Sequence, residues 1–170
     1  GGGSRRKVGA RLRHAASGER AMWRSAGQIM NRPRYETERD RANERIVAEA
    51  LRERGYELMK LNPTYRLDCA IIKDGQPRGF VEIKARTFGM NKFSTALVNL
   101  HKVIAARQLS FETNLPSYMV VLYQDALARI SFAEDFELGV FEGRNDRDDP
   151  MDRDLVAHFP ISRFMIVSQR

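Results

Sequence analysis

The chain has 170 residues, 42% of them hydrophobic, which suits one domain with a sizeable core. No run approaches the ~18 consecutive apolar residues of a membrane-spanning helix. A single cysteine, Cys69, excludes an internal disulfide and a cysteine metal cluster, and the three scattered histidines (His14, His101, His158) argue against zinc.

The expected setting is the reducing cytoplasm, with no secretory signal, and the opening Gly-Gly-Gly is set aside from the fold. The net charge of +7 is unevenly placed: residues 1–34 carry nine Arg/Lys against one acid, Glu19, so the remainder is close to neutral. Residues 1–34 therefore read as a basic arm and 35–170 as the domain. A basic arm attracts phosphate backbones without regard to sequence, although a solvated tail has the same composition.

Within the arm, HAASGERAMWRSAGQIM has weak helical character, and Trp23 is expected to dock on the domain rather than stack on a base. A firmer helix is expected from about Glu38 to Arg54, because Ile46, Val47, Ala50 and Leu51 fall at helical spacing and Gly55 stops it. Strands follow at residues 56–62, 67–72 and 79–85, with Asp74-Gly75 as the hairpin turn between the second and third. A second helix is expected over residues 92–110, with Leu97, Leu100, Val103 and Ile104 facing the core. Strands at 118–123 and 128–132, an acid-rich surface loop at 143–154 and a final edge strand at 164–167 complete the chain. This order gives an α/β (α+β) fold with a mixed central sheet flanked by helices.

Charges interrupt the central hairpin. If its turn centres on residue 75, Asp68 and Glu82 lie opposite one another, since their numbers sum to 150. Alternation puts Glu82 and Lys84 on one face and turns Val81, Ile83 and Ala85 to the other. Two carboxylates and an ammonium on one side of a sheet suit a hard cation such as Mg²⁺, to which the Ile83 carbonyl could add an oxygen. Such a site activates water and stabilises charge on a phosphodiester. The same spacing also fits a structural ion pair. A third acid from the first helix would be Glu44, with Glu38, Asp40 and Glu49 as competitors.

Asp68, a fourteen-residue step and then Glu82-Ile83-Lys84 resemble the PD-(D/E)xK nuclease superfamily, with Leu67 where that pattern usually has proline. ERIVAEALRERGYELMK, residues 44–60, is similar to the helix and strand of archaeal Holliday-junction resolvases. Residues 97–132 resemble small phage nuclease-like domains.

The resemblance implies a restriction-endonuclease-like core. It also implies a Mg²⁺-dependent DNA endonuclease (Mn²⁺ as substitute), with branched DNA among its candidate substrates, serving recombination or repair. It assigns Asp68, Glu82, Ile83 through its carbonyl, and Glu44 to the metal, and Lys84 to the nucleophile. It places Lys102 on the second helix facing the site, with Lys92 and Gln108 behind it. Lys102, Lys92, Ser94, Arg86, Arg32 and Arg34 become the nucleic-acid contacts, chiefly to phosphate. DNA is the implied partner, a homodimer is compatible, and a phage-encoded chain would act in the host cytoplasm. The rival from the same residues is a nucleic-acid-binding or phage assembly domain on this fold without turnover.

Overall fold

The computed structural model describes residues 38–141 and 154–170. The arm, with Arg32, Arg34 and Trp23, and nearly all of the acid-rich segment 143–154 lie outside the described residues.

Helix α1 (Glu38–Arg52) carries its apolar stripe as the spacing predicts, with Val47 fully buried. Its end is a Schellman stop: Gly55 and Tyr56 donate back to the carbonyls of Arg52 and Leu51, and Gly55 takes φ +76°. Strand β1 (Glu57–Lys60) leads through a 3-10 turn, Pro63–Tyr65, into β2 (Cys69–Lys73). Asp74 and Gly75, both at positive φ, form the two-residue turn to β3 (Gln76–Ala85). The register of β2 on β3 pairs Cys69 with Val81 and Ala70 with Phe80, so the sum of 150 holds as far as Cys69; Asp68 lies just before the strand and donates to the Val81 carbonyl. A bulge between Ile71 and Ile72 shifts it by one residue near the turn.

The expected helix at 92–110 begins too early. Residues Thr95–Asn99 form a strand, β4, and helix α2 runs Leu100–Thr113. Strand β5 (Ser117–Leu122) then returns parallel to β3, and β6 (Ala126–Ser131) follows antiparallel. Two strands were not anticipated, β7 (Glu137–Phe141) and β8 (Asp154–Pro160). Strand β9 (Met165–Gln169) is the expected edge strand.

The main sheet has the order β1-β2-β3-β5-β6-β9, antiparallel except for β3/β5; β4, β8 and β7 form a second, three-stranded sheet. Alternation along the central strands sorts side chains between two cores. Cys69, Val81, Val120, Leu122 and Leu127 face α1, whereas Ala70, Phe80, Met119, Val121 and Ile130 face α2 and the second sheet. Each large apolar side chain so buried contributes roughly 1.5–3 kcal/mol. Ile104 departs from its expected core position and stands 58% exposed on α2. Among the described residues, no helix is long and apolar enough to cross a membrane.

Candidate active site

The site lies at the end of β3, on the face it shares with α2. Glu82 sits among apolar residues that pair with or flank it, opposite Met119 of β5, and is only 1% exposed. Burying a carboxylate this deeply is costly unless it is paired. Two ammoniums meet it: Lys84 Nζ at 2.5 Å from Oε1 and Lys102 Nζ at 2.7 Å from Oε2. Lys84 is two residues along the same strand, so alternation brings it to the same face. Lys102 comes from the first turn of α2.

Lys102 is further fixed by the Arg66 carbonyl, 2.6 Å from its Nζ. Arg66 closes the 3-10 turn in the left-handed region, φ +61°, and its N–H donates to the Pro63 carbonyl. Asn62 accepts from the Thr64 N–H at the start of the same turn. That short turn therefore sets a main-chain oxygen over the lysine.

Asp68 is held by main chain on three sides. Its N–H donates to the Val81 carbonyl at 3.1 Å, its carbonyl accepts from Leu61, and its Oδ2 accepts from the Ile83 N–H at 2.7 Å. Regular pairing would offer that N–H to Leu67, but β2 has already left the ladder, and the carboxylate takes the place of the missing carbonyl. The N–H and C=O of one residue in an antiparallel strand share an edge, so the Ile83 carbonyl faces Asp68's side too.

Asp68, Glu82, the Ile83 main chain, Lys84 and Lys102 thus come together. Glu44 stands apart from this cluster, on the helix that packs against the opposite face of the sheet. Its carboxylate is bound by Lys60 at 2.8 Å, and Lys60 is register partner to Cys69, next to Asp68. Arg86 is half-buried, with Nη1 and Nη2 on the carbonyls of Ala85 and Leu97. Burial lowers its pKa from the ordinary arginine value, and Tyr123 is the group that opposes this. Lys92 is exposed, its Nζ over the rings of Phe88 and Phe93 at 5.3 and 5.4 Å. Ser94 is exposed in the segment before β4, and Gln108 is exposed on α2.

Sequence reasoning missed Arg66 and Lys60. A carbonyl leaves no mark in a sequence, and the Glu44–Lys60 pair spans sixteen positions and two elements. His101, beside Lys102, is held below its ordinary pKa by burial first and then by the Lys102 charge.

A hairpin that brings an aspartate against a Glu-Ile-Lys strand, with a helix lysine completing the cluster, has the layout of the Asp…Glu-x-Lys nuclease class. The chain belongs to the family described as "Phage putative PDDEXK endonuclease", whose model matches residues 30–167. Among solved structures it is similar to Hjc, a Holliday junction resolvase of Archaeoglobus fulgidus, an archaeal hyperthermophile. That similarity has 13% identity and a TM-score of 0.45, and covers 67% of this chain and 80% of that one. No curated protein matches the chain.

Proposed function

We propose that this chain is a divalent-metal-dependent DNA endonuclease that hydrolyses phosphodiester bonds. The observation that carries the reading is the buried Glu82 carboxylate with two lysines on it, beside a second carboxylate, Asp68, that accepts from the N–H of the next residue, Ile83.

The donor set fits a hard cation: two carboxylates and the Ile83 carbonyl, all oxygen, as Mg²⁺ or Mn²⁺ prefers. Among the described residues no three acids, histidines or cysteines group tightly enough to hold a metal alone. Substrate phosphate and water would complete such a shell, which is usual for Mg²⁺. A bound Mg²⁺ would polarise the phosphoryl group and lower the pKa of a bound water. Asp68 and Glu82 would hold it, with Glu44 a more distant ligand through water. The Lys84 ammonium, part-exposed at the site's mouth, would orient the attacking water and stabilise charge on the phosphoryl oxygens. Lys102, deeper, would hold the Glu82 carboxylate in place.

Arg86, Lys92, Ser94 and the basic arm through Arg32 and Arg34 supply phosphate attraction in this reading, which positions the nucleic acid and does not select sequence. A cytoplasmic setting, the host's if the chain is phage-encoded, belongs to the same reading. So does a homodimer for substrates with two related strands to cut.

One observation favours a rival domain without turnover, serving nucleic-acid binding or phage assembly: the lysines already occupy both Glu82 oxygens. The test is a labelled panel of branched, duplex and single-stranded DNA with Mg²⁺, Mn²⁺ or EDTA, beside Asp68→Ala and Lys84→Ala. Metal-dependent cleavage lost in both variants is the expected result, and the panel decides whether branched DNA is preferred. Tight binding with no cleavage under any metal would establish the rival.

A further inference from the structure

A second polar cavity, about 200 Å³, opens where β3 and β5 end, beside Ala85 and Leu122. Three guanidiniums line it: Arg39 from the first turns of α1, Arg86 just past β3, and Arg170 at the end of the described chain. Asn43, Thr87, Tyr123 and Gln124 add neutral polar groups, and no Asp or Glu is among its described lining residues.

Two of these arginines are anchored by main-chain carbonyls, and no ion pair to a described carboxylate is seen for them. Arg86 spends two N–H groups on the Ala85 and Leu97 carbonyls. Arg170 spends one on the Tyr123 carbonyl at 3.2 Å, and its N–H reaches the Asp125 carbonyl. The nearby Asp125 carboxylate is turned to the Met90 N–H at 2.9 Å. Burial lowers the Arg86 pKa, and no carboxylate is among the groups that raise it. Arg86 is half-buried while Arg39 and Arg170 are exposed beside it; like charges gathered around a partly desolvated one favour an anion joining them. Guanidinium forks match phosphate oxygens in shape as well as charge.

We infer that Arg39, Arg86 and Arg170 form a phosphate-binding pocket that seats a backbone phosphate of the nucleic-acid strand whose neighbouring linkage lies at Asp68, Glu82 and Lys84. The inference rests on the proposed function for the identity of the strand, but the anion chemistry stands independently of it. Arg86 is two strand residues beyond Lys84, about 7 Å, so one strand can occupy both places. Arg39 and Arg170 become positioning residues, and the pocket sets where along the strand the cut falls.

Two measurements on the full chain test this. In the first, inorganic phosphate is titrated against thermal unfolding of the intact protein and of an Arg39→Gln/Arg170→Gln double variant. Phosphate should raise the midpoint of the intact protein and leave the double variant unmoved; an equal rise in both overturns the pocket. In the second, duplex binding is followed by fluorescence anisotropy in EDTA at several salt concentrations. The slope of log K against log salt should fall in magnitude by about one in the double variant, for the one phosphate the pocket seats. Arg52→Gln, at the other end of α1, should leave the slope unchanged. A lost phosphate effect with an unchanged slope overturns the assignment to a nucleic-acid strand. Cleavage that fails while the slope falls as expected counts against the nuclease reading alone.

Discussion

Glu82 has two lysines, and their burial predicts that they are unequal. Lys102 is 12% exposed and binds both Glu82 and the Arg66 carbonyl; Lys84 is 29% exposed and, among the described residues, binds Glu82. Replacing Lys102 with methionine keeps the stem packed but strips a buried carboxylate oxygen and a main-chain carbonyl of their partner. Removing one member of a buried pair costs about 3–5 kcal/mol. Lys84 still covers the other Glu82 oxygen, which puts Lys102→Met near the low end, about 3 kcal/mol. At roughly 3–4 °C per kcal/mol for a domain of this size, the midpoint should fall by about 10 °C. Lys84→Met exposes its gap to water and should cost about 1 kcal/mol, or roughly 3–4 °C. Cleavage should respond in the opposite order, with Lys84→Met losing on the order of 100-fold or more. Thermal unfolding by circular dichroism, at one pH and salt, reads the first comparison. Equal shifts, or the larger one in Lys84→Met, would refute the view that Lys102 is the buried structural partner.

Gly79 has no room for a side chain: an added Cβ would meet the Pro116 carbonyl oxygen at 2.7 Å. Gly79→Ala should therefore cost about 1–3 kcal/mol, read as a lower urea midpoint, and an unchanged midpoint would contradict the packing of β3 on β5. His101 has a folded pKa below its ordinary 6.5, so the unfolded chain takes up the proton more readily. Stability should fall as pH drops from 6.5 through the lower folded value, and His101→Gln should reduce that loss. Urea midpoints at pH 7.5 and 5.5 that fall equally in both proteins would sink this account.

Much of the candidate site was legible in the sequence because it is local. Asp74-Gly75 specifies a two-residue turn through its positive φ angles, and the turn specifies which residues of β2 and β3 face each other. The turn brings Asp68 to the Glu82–Lys84 stretch, although a bulge at Ile71/Ile72 resets the register by one residue and Asp68 lies just before β2; period-two alternation adds Lys84 to the face of Glu82. The stripe of α1 and its Gly55 stop are equally local, set by side-chain spacing and one glycine's freedom. The expected helix over residues 92–110 failed for a reason of the other kind. Thr95–Asn99 is a strand because β8 pairs with it, from Val156 to Pro160, and nothing within ten residues announces that partner. The same long-range pairing created the unforeseen β7 and β8. Only the tertiary structure could bring Lys102 from α2 onto Glu82, lock it with the Arg66 carbonyl, and send Glu44 to Lys60 on the far side of the sheet. Turn chemistry and alternation act between neighbours in the chain, whereas a buried charge takes its partner from whatever the packed elements bring within reach.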